Sequence, residues 1–188
     1  LWLEGGRLQL QGKTSDVIAR YLTSQSQMNG VYDWPEGVAN PGITEFKLFS
    51  IRVLDHVQEP SSNLDATKPF FVEIRYEICK SLPYMRLGFA LSTVDGTVIF
   101  ETQDADHEQY SGKRRPGTYT MRCEIPGELL TPGRYLISVN AGMPEIKNLV
   151  YLPNLLALEV EDTYDSTSLM TRTREGVIRP KLKWEEVE

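Results

Sequence analysis

The chain has 188 residues, 40% hydrophobic, 10% aromatic and 24% charged, with 26 acidic against 20 basic side chains. That composition excludes a disordered chain and supports one principal domain with a sizeable core. A formal charge of −6 and a pI near 5.1 argue against nucleic acid or an anionic membrane as the main partner, and no apolar run approaches the ~18 residues that a membrane span needs.

Residues 1–22 predict a strand–turn–strand–helix unit. Leu1-Trp2-Leu3 is apolar, Glu4-Gly5-Gly6 is a turn, and Arg7 to Gln11 alternates like a half-buried return strand. Thr14 or Ser15 can cap a helix carrying Val17, Ile18, Tyr21 and Leu22 on one face. The pattern begins abruptly at Leu1, without Met or a signal segment, and is expected to be part of a longer chain. Residues 23–43 read as a linker, polar at first and then rich in Pro and Gly, with Tyr32 and Trp34 expected on a surface.

From Thr44 to Asp162 strand patterns follow one another between turn signals. Phe46–Asp55 sets Phe49, Ile51 and Val53 on one face, and Phe70–Cys79 points Phe70, Val72, Ile74, Tyr76 and Ile78 inward. Tyr84–Thr93 places Met85, Leu87, Phe89 and Leu91 inside, and Asp95-Gly96 predicts a two-residue hairpin into Thr97–Glu101. Gly117–Ile125, Arg134–Ala141 and Leu155–Glu161 complete the set. Seven such strands predict an all-β, immunoglobulin-like antiparallel β-sandwich over 44–162. Residues 163–175 are a polar connector, and Gly176 onward predicts one more strand ending near Trp184. Cys79 and Cys123 fall on opposite kinds of face, which favours two free thiols in a cytoplasmic protein.

Two motif-like stretches carry no chemistry on this reading. GGRLQLQGKT has five residues between Gly6 and Gly12 where a phosphate loop needs four, and they alternate as a strand. Asp104, Asp106, His107 and Glu108 could ligate a cation or act as acid and base, but they lack calcium-loop spacing. They read more simply as a solvated acidic loop facing Lys113-Arg114-Arg115. No catalytic residues and no metal site are predicted.

The outer faces of three strands are more informative. Tyr84, Arg86, Gly88 and Ala90 lie on one, Arg134, Ser138 and Asn140 on the second, and Ala157 on the third. Small residues in the middle would leave a shallow trough with an aromatic ring, two arginines, a hydroxyl and an amide on its rim. Such a set suits a sugar surface, unless a second element or a partner chain covers the face. Tyr84, Arg86, Arg134, Ser138 and Asn140 are the candidate contacts, with Trp34 and Tyr110 as stacking groups from loops.

The ends of the chain carry a resemblance. LWLEGGRLQLQGKTSDVIARYL resembles the last strand pair and helix of an ABC-transporter ATPase domain. The pattern C-x-I-P-x-x-L-L-x-x-G-x-Y, formed by Cys123, Ile125, Pro126, Leu129, Leu130, Gly133 and Tyr135, together with the Gly176…Trp184 segment, resembles the C-terminal domain of the Wzt family. The resemblance implies the carbohydrate-binding part of an ATPase subunit that exports O-antigen polysaccharide, reading the modified non-reducing end of the finished chain. It also implies a cytoplasmic homodimer held at the inner membrane through a permease subunit, with the C-terminal strand open to exchange between protomers. ATP and Mg would belong to the ATPase domain upstream. A dimerisation or regulatory module without glycan contact is the alternative, and an enzyme using Asp104 and Glu108 is a third reading.

Overall fold

Gly5 (φ 55°) and Gly6 (φ 76°) close a tight turn that pairs β1 (Trp2–Glu4) with β2 (Arg7–Leu10), a left-handed conformation that glycine adopts without steric cost. Thr14, Asp16, Val17, Arg20 and Tyr21 are helical, and the Tyr21 ring meets Trp2 edge-on at 5.7 Å. The expected strand–turn–strand–helix unit is therefore present. This computed structural model describes residues 1–14, 16–17, 20–21, 30–38, 43–107, 112–162, 176–180 and 184.

The rest of the described chain is two packed antiparallel sheets. One is ordered β3 (Val31–Val38), β4 (Phe46–Leu54), β6 (Phe70–Ile78), β9 (Gly117–Ile125). The other is ordered β5 (Asn63–Asp65), β11 (Lys147–Glu161), β10 (Gly133–Met143), β7 (Arg86–Thr93), β8 (Val98–Gln103), with β5 joining in parallel. Strands β4, β6 and β9 face β11, β10, β7 and β8 in the order of an immunoglobulin sandwich. Tyr76, Phe46, Leu48, Ile51 and Ile78 from one sheet, and Tyr135, Leu91, Ile137, Leu149 and Leu156 from the other, are fully buried between the sheets.

At the start of β10 the Tyr135 hydroxyl donates to the Thr131 carbonyl at 2.6 Å. This is the tyrosine corner that fixes the crossing from one sheet to the other in immunoglobulin-like folds. It gives the Gly133-x-Tyr135 pattern a physical meaning. Gly133 precedes the ring, and the ring's hydroxyl ties the strand back onto the loop before it.

Several expectations change. Residues 31–38, assigned to a linker, form strand β3, whose Tyr32 and Trp34 rings stack at 4.3 Å and pack against the core. Pro35 and Gly37 are tolerated because an edge strand bonds on one side only and β3 bulges between Asp33 and Val38. Phe49 does not share the core face of Ile51 and Val53. A bulge between Leu48 and Ser50 shifts the phase, so Phe46 and Leu48 point inward before it and Phe49 lies under the Arg75 guanidinium. The turn after β7 spans Val94 to Gly96 rather than two residues, closing with Thr93 N–H on the Thr97 carbonyl and Gly96 at φ 90°.

Strand β11 begins at Lys147, eight residues before the expected Leu155. It runs through Pro153-Asn154 as a bulge opposite Ser138, whose Oγ accepts the Asn154 N–H at 2.9 Å. The predicted terminal strand contracts, among the described residues, to a bridge between Ile178 and Leu130 of the same chain. Thr131 N–H donates to the Val177 carbonyl, Arg179 N–H to the Leu129 carbonyl, and Arg179 Nη1 to Asp162 at 2.8 Å.

The two sheets are also joined through a buried polar node. Arg114, in the segment before β9, donates to the Tyr76 hydroxyl at 2.6 Å and to Asp104 Oδ2 at 2.5 Å. Asp104 Oδ1 accepts the Leu87 N–H at 3.0 Å. The Asp104 and Arg114 side chains are 7% and 5% exposed. Burial pushes the Tyr76 phenol up to about 12, so it stays protonated. Burial also pushes the Asp104 carboxyl up, against the opposing pull of the Leu87 N–H and the Arg114 guanidinium. Asp104 is thus a structural residue, not a member of a solvated acidic loop, and Arg114 is its partner rather than part of an exposed basic run.

Breaking such a pair from one side leaves a buried charge alone. Arg114→Met is expected to lower the unfolding free energy by about 3–5 kcal/mol in urea titration. Asp104→Asn, which also leaves the Arg114 charge alone and turns an amide NH2 toward one of the two donors, Leu87 N–H or Arg114, is expected to cost a similar amount. An Arg114→Met variant as stable as the parent would refute the node's role.

Candidate functional site

The outward face of β8, β7, β10 and β11 holds most of the side chains predicted to meet a ligand. Cross-strand register places Arg86 beside Gly142, Gly88 beside Asn140 and Ala90 beside Ser138. On the far side of β10, Asn140 pairs with Tyr151. On the far side of β7, Gly88 pairs with Gln103 and Ala90 with Glu101.

An open trough of about 630 Å³ lies at this end of the face, lined by Arg86, Gln103, Asn140, Asn148, Tyr151 and the hairpin around Ile146. Arg86 is exposed and has no hydrogen-bond or ion-pair partner among the described residues. Lys147, at the hairpin base, is instead held by Glu45 at 3.2 Å, and that hydrogen bond keeps the Glu45 carboxyl below its usual range. Tyr151 is 56% exposed, leaving its ring available.

The expected trough does not extend to Arg134. Arg134 lies eight residues before Gly142 on β10, so it stands about 25 Å from Arg86 at ~3.3 Å per residue. It is tied to Glu159 at 2.9 Å. Between the two, Leu136 and Ala157 are 0% exposed and Leu155 is buried, so that half of the face is closed to a ligand. Ser138 is engaged by the Asn154 N–H. Tyr84 precedes β7 in a turn at φ 54° with its ring exposed, two residues from Arg86. Trp34 belongs to the other sheet and packs on Tyr32 and the core, away from the trough. Tyr110 and Glu108 lie outside the described residues. Among the predicted contacts, Arg86 and Asn140 are therefore the ones brought to one open surface.

The sequence reading missed Gln103, Asn148 and Tyr151. Tyr151 and Asn148 sit on the early half of β11, which Pro153 hid. Gln103 extends β8 two residues past the expected end, and a continued alternation from Phe100 and Glu101 was the signal available.

Gly88 has a second role besides leaving space. A Cβ there would stand 2.4 Å from the Thr102 carbonyl, 3.0 Å from the Gln103 side chain and 3.1 Å from Asn140 Oδ1. The close approach of β8 to β7 therefore demands glycine.

A second cleft of about 500 Å³ opens between the edges of the two sheets, floored by Val72, Ile74, Leu87, Phe89 and Met121. Two of its charged side chains, Arg122 and Asp104, are already paired. Arg122 is held by Glu73 and Gln58, and Asp104 by Arg114. Among the described residues no cluster of three His, Cys, Asp or Glu side chains is placed to hold a metal ion, and both cysteines are free. Burial, with the neighbouring Glu124, pushes the Cys123 thiol up.

The two sheets, their strand order and the tyrosine corner define an immunoglobulin-like β-sandwich with an open polar trough on one sheet. Residues 41–179 match the Wzt C-terminal domain, and the chain belongs to that family. A solved structure described as "Crystal structure of the C-terminal domain of wzt" shares the fold with a TM-score of 0.61 at 15% identity, over 90% of this chain and 96% of that one. Among curated proteins, none matches this chain. No helix among the described residues is long and apolar enough to cross a membrane.

Replacing Gly88 with Ala is expected to push β8 from β7 and cost about 1–3 kcal/mol in urea titration, the usual range for overpacking. An unchanged midpoint would show that the close approach does not constrain this position.

Proposed function

We propose that this domain recognises O-antigen polysaccharide at its modified non-reducing end, as the C-terminal part of an ABC exporter's ATPase subunit, and so couples chain completion to export. On this reading the domain binds the glycan without acting on it chemically. It works in the cytoplasm as part of a homodimer, held at the inner membrane through the permease. Hydrolysis of ATP with Mg²⁺ belongs to the ATPase domain.

Membership of the Wzt C-terminal domain family supports the export role. The observation that carries glycan recognition is the trough itself, where Arg86, Asn140 and Gln103 surround an open floor beside the exposed Tyr151 ring. Pyranose rings need this combination. Amides and a guanidinium meet the hydroxyls, and an aromatic face meets the apolar C–H side. Because the trough is shallow and buries few apolar atoms, affinity per sugar is expected to be low, in keeping with a reader that must release its chain.

Calorimetric titration with O-polysaccharide purified from the source organism tests this. Arg86→Ala and Asn140→Ala are each expected to weaken binding about tenfold or more, at an unchanged melting temperature. Arg134→Ala, at the closed end of the face, is expected to bind like the parent. Equal affinity for all three variants and the parent would remove the trough from the reading.

A further inference from the structure

Glu101 stands one strand away from the trough's centre, yet it touches two of the amides that line it, those of Asn140 and Gln103. Its Oε1 accepts Asn140 Nδ2 at 2.7 Å and Gln103 Nε2 at 3.4 Å. The first of these bonds crosses an entire strand. Glu101 is on β8 and Asn140 on β10, with β7 between them, a span of about 10 Å between backbones. The side chains can meet because the intervening positions on that face are Ala90 and Gly88, opposite Glu101 and Asn140 respectively. Any larger side chain there would stand between them, and a Cβ at Gly88 would already crowd Asn140 Oδ1 and Gln103.

A carboxylate accepts hydrogen bonds and donates none, so an amide beside it must turn its NH2 group inward. From this we infer that Glu101 is a positioning residue that sets the hydrogen-bonding polarity of the trough. It draws the NH2 groups of Asn140 and Gln103 to itself; the Gln103 side chain also accepts the Asp106 N–H, so the trough offers the Asn140 amide oxygen as its acceptor, with Arg86 as the cationic donor. The ligand such a surface selects presents a free hydroxyl proton toward Asn140. A glycan whose hydroxyl there is acylated or missing would leave that oriented acceptor unmet, at a loss of affinity. This inference rests on the glycan-binding reading above and names which groups of the glycan that site reads.

The test uses the full chain, with ¹⁵N side-chain amide signals of Asn140 and Gln103 recorded for the parent, Glu101→Gln and Glu101→Ala. Calorimetry with the purified O-polysaccharide runs alongside. Glu101 is exposed, so both variants are expected to keep the parent's melting temperature. Both NH2 signals should move in the ligand-free variants, and affinity should fall about tenfold. Chemically O-acetylated polysaccharide should bind the parent more weakly than the untreated chain and should lose that disadvantage against Glu101→Gln. If the parent binds and the variants bind equally well, or if the amide signals do not move, the positioning role is overturned while the site stands. If the parent binds neither polysaccharide, the glycan reading fails and the inference falls with it.

Discussion

The contact on which this domain's geometry depends is the buried Asp104–Arg114–Tyr76 node. Its members come from the turn just after β8, from the segment before β9 and from near the end of β6, so one guanidinium pins both sheets together at the sandwich's open edge. Through the Leu87 N–H, Asp104 also anchors the start of β7. The residue before Asp104 is Gln103, and the residue before Leu87 is Arg86. Two of the trough's polar groups are thus backbone neighbours of a buried ion pair, which places them on rigid rather than mobile chain. A buried pair of this kind contributes little net stability over an apolar replacement. Its evident value here is geometric, because it fixes the level at which β7 starts and β8 ends.

A second constraint shapes the surface above it. Gly88 allows β8 to press close against β7, and with Ala90 it clears a lane across the sheet. The same two positions explain the shallow floor and the long reach from Glu101 to Asn140. The opposite half of the face follows other rules. Leu136, Leu155 and Ala157 are withdrawn from water, and Arg134 is neutralised by Glu159. A single sheet therefore carries one closed apolar half and one open polar half, and the polar half is the surface proposed to meet the glycan.

Much of the fold could be read from side-chain alternation. The strands β6 and β9 have uninterrupted period-two patterns, and their ends fall within a residue of the expected positions. Alternation fails where the backbone gains a residue. The bulge at Leu48–Ser50 sends Phe49 outward, and the bulge at Pro153-Asn154 made one long strand look like a late short one. Strand β3 was hidden by Pro35 and Gly37, which suit a linker and an edge strand equally well. For the site, parity correctly placed Arg86, Ser138 and Asn140 on one face. It carries no information about distance along a strand or about burial by other side chains, so Arg134 was grouped with residues far from it, while Trp34, expected in a loop, lies on β3 of the other sheet. The long-range pairing of Asp104 with Arg114 and Tyr76 had no local signature either, and an acidic cluster beside a basic run looked like solvated loops.

The central claim is that the open end of the five-stranded face reads the end of a polysaccharide. Its most direct test is a backbone NMR titration of the full chain with the purified O-polysaccharide, in capped and uncapped forms. The account predicts that only the capped chain perturbs resonances, and that the perturbed residues cluster on β7, β8, β10 and the β10–β11 hairpin around Arg86, Gln103, Asn140 and Tyr151. Perturbations confined to the inter-sheet cleft, or the same response to both forms, would contradict it.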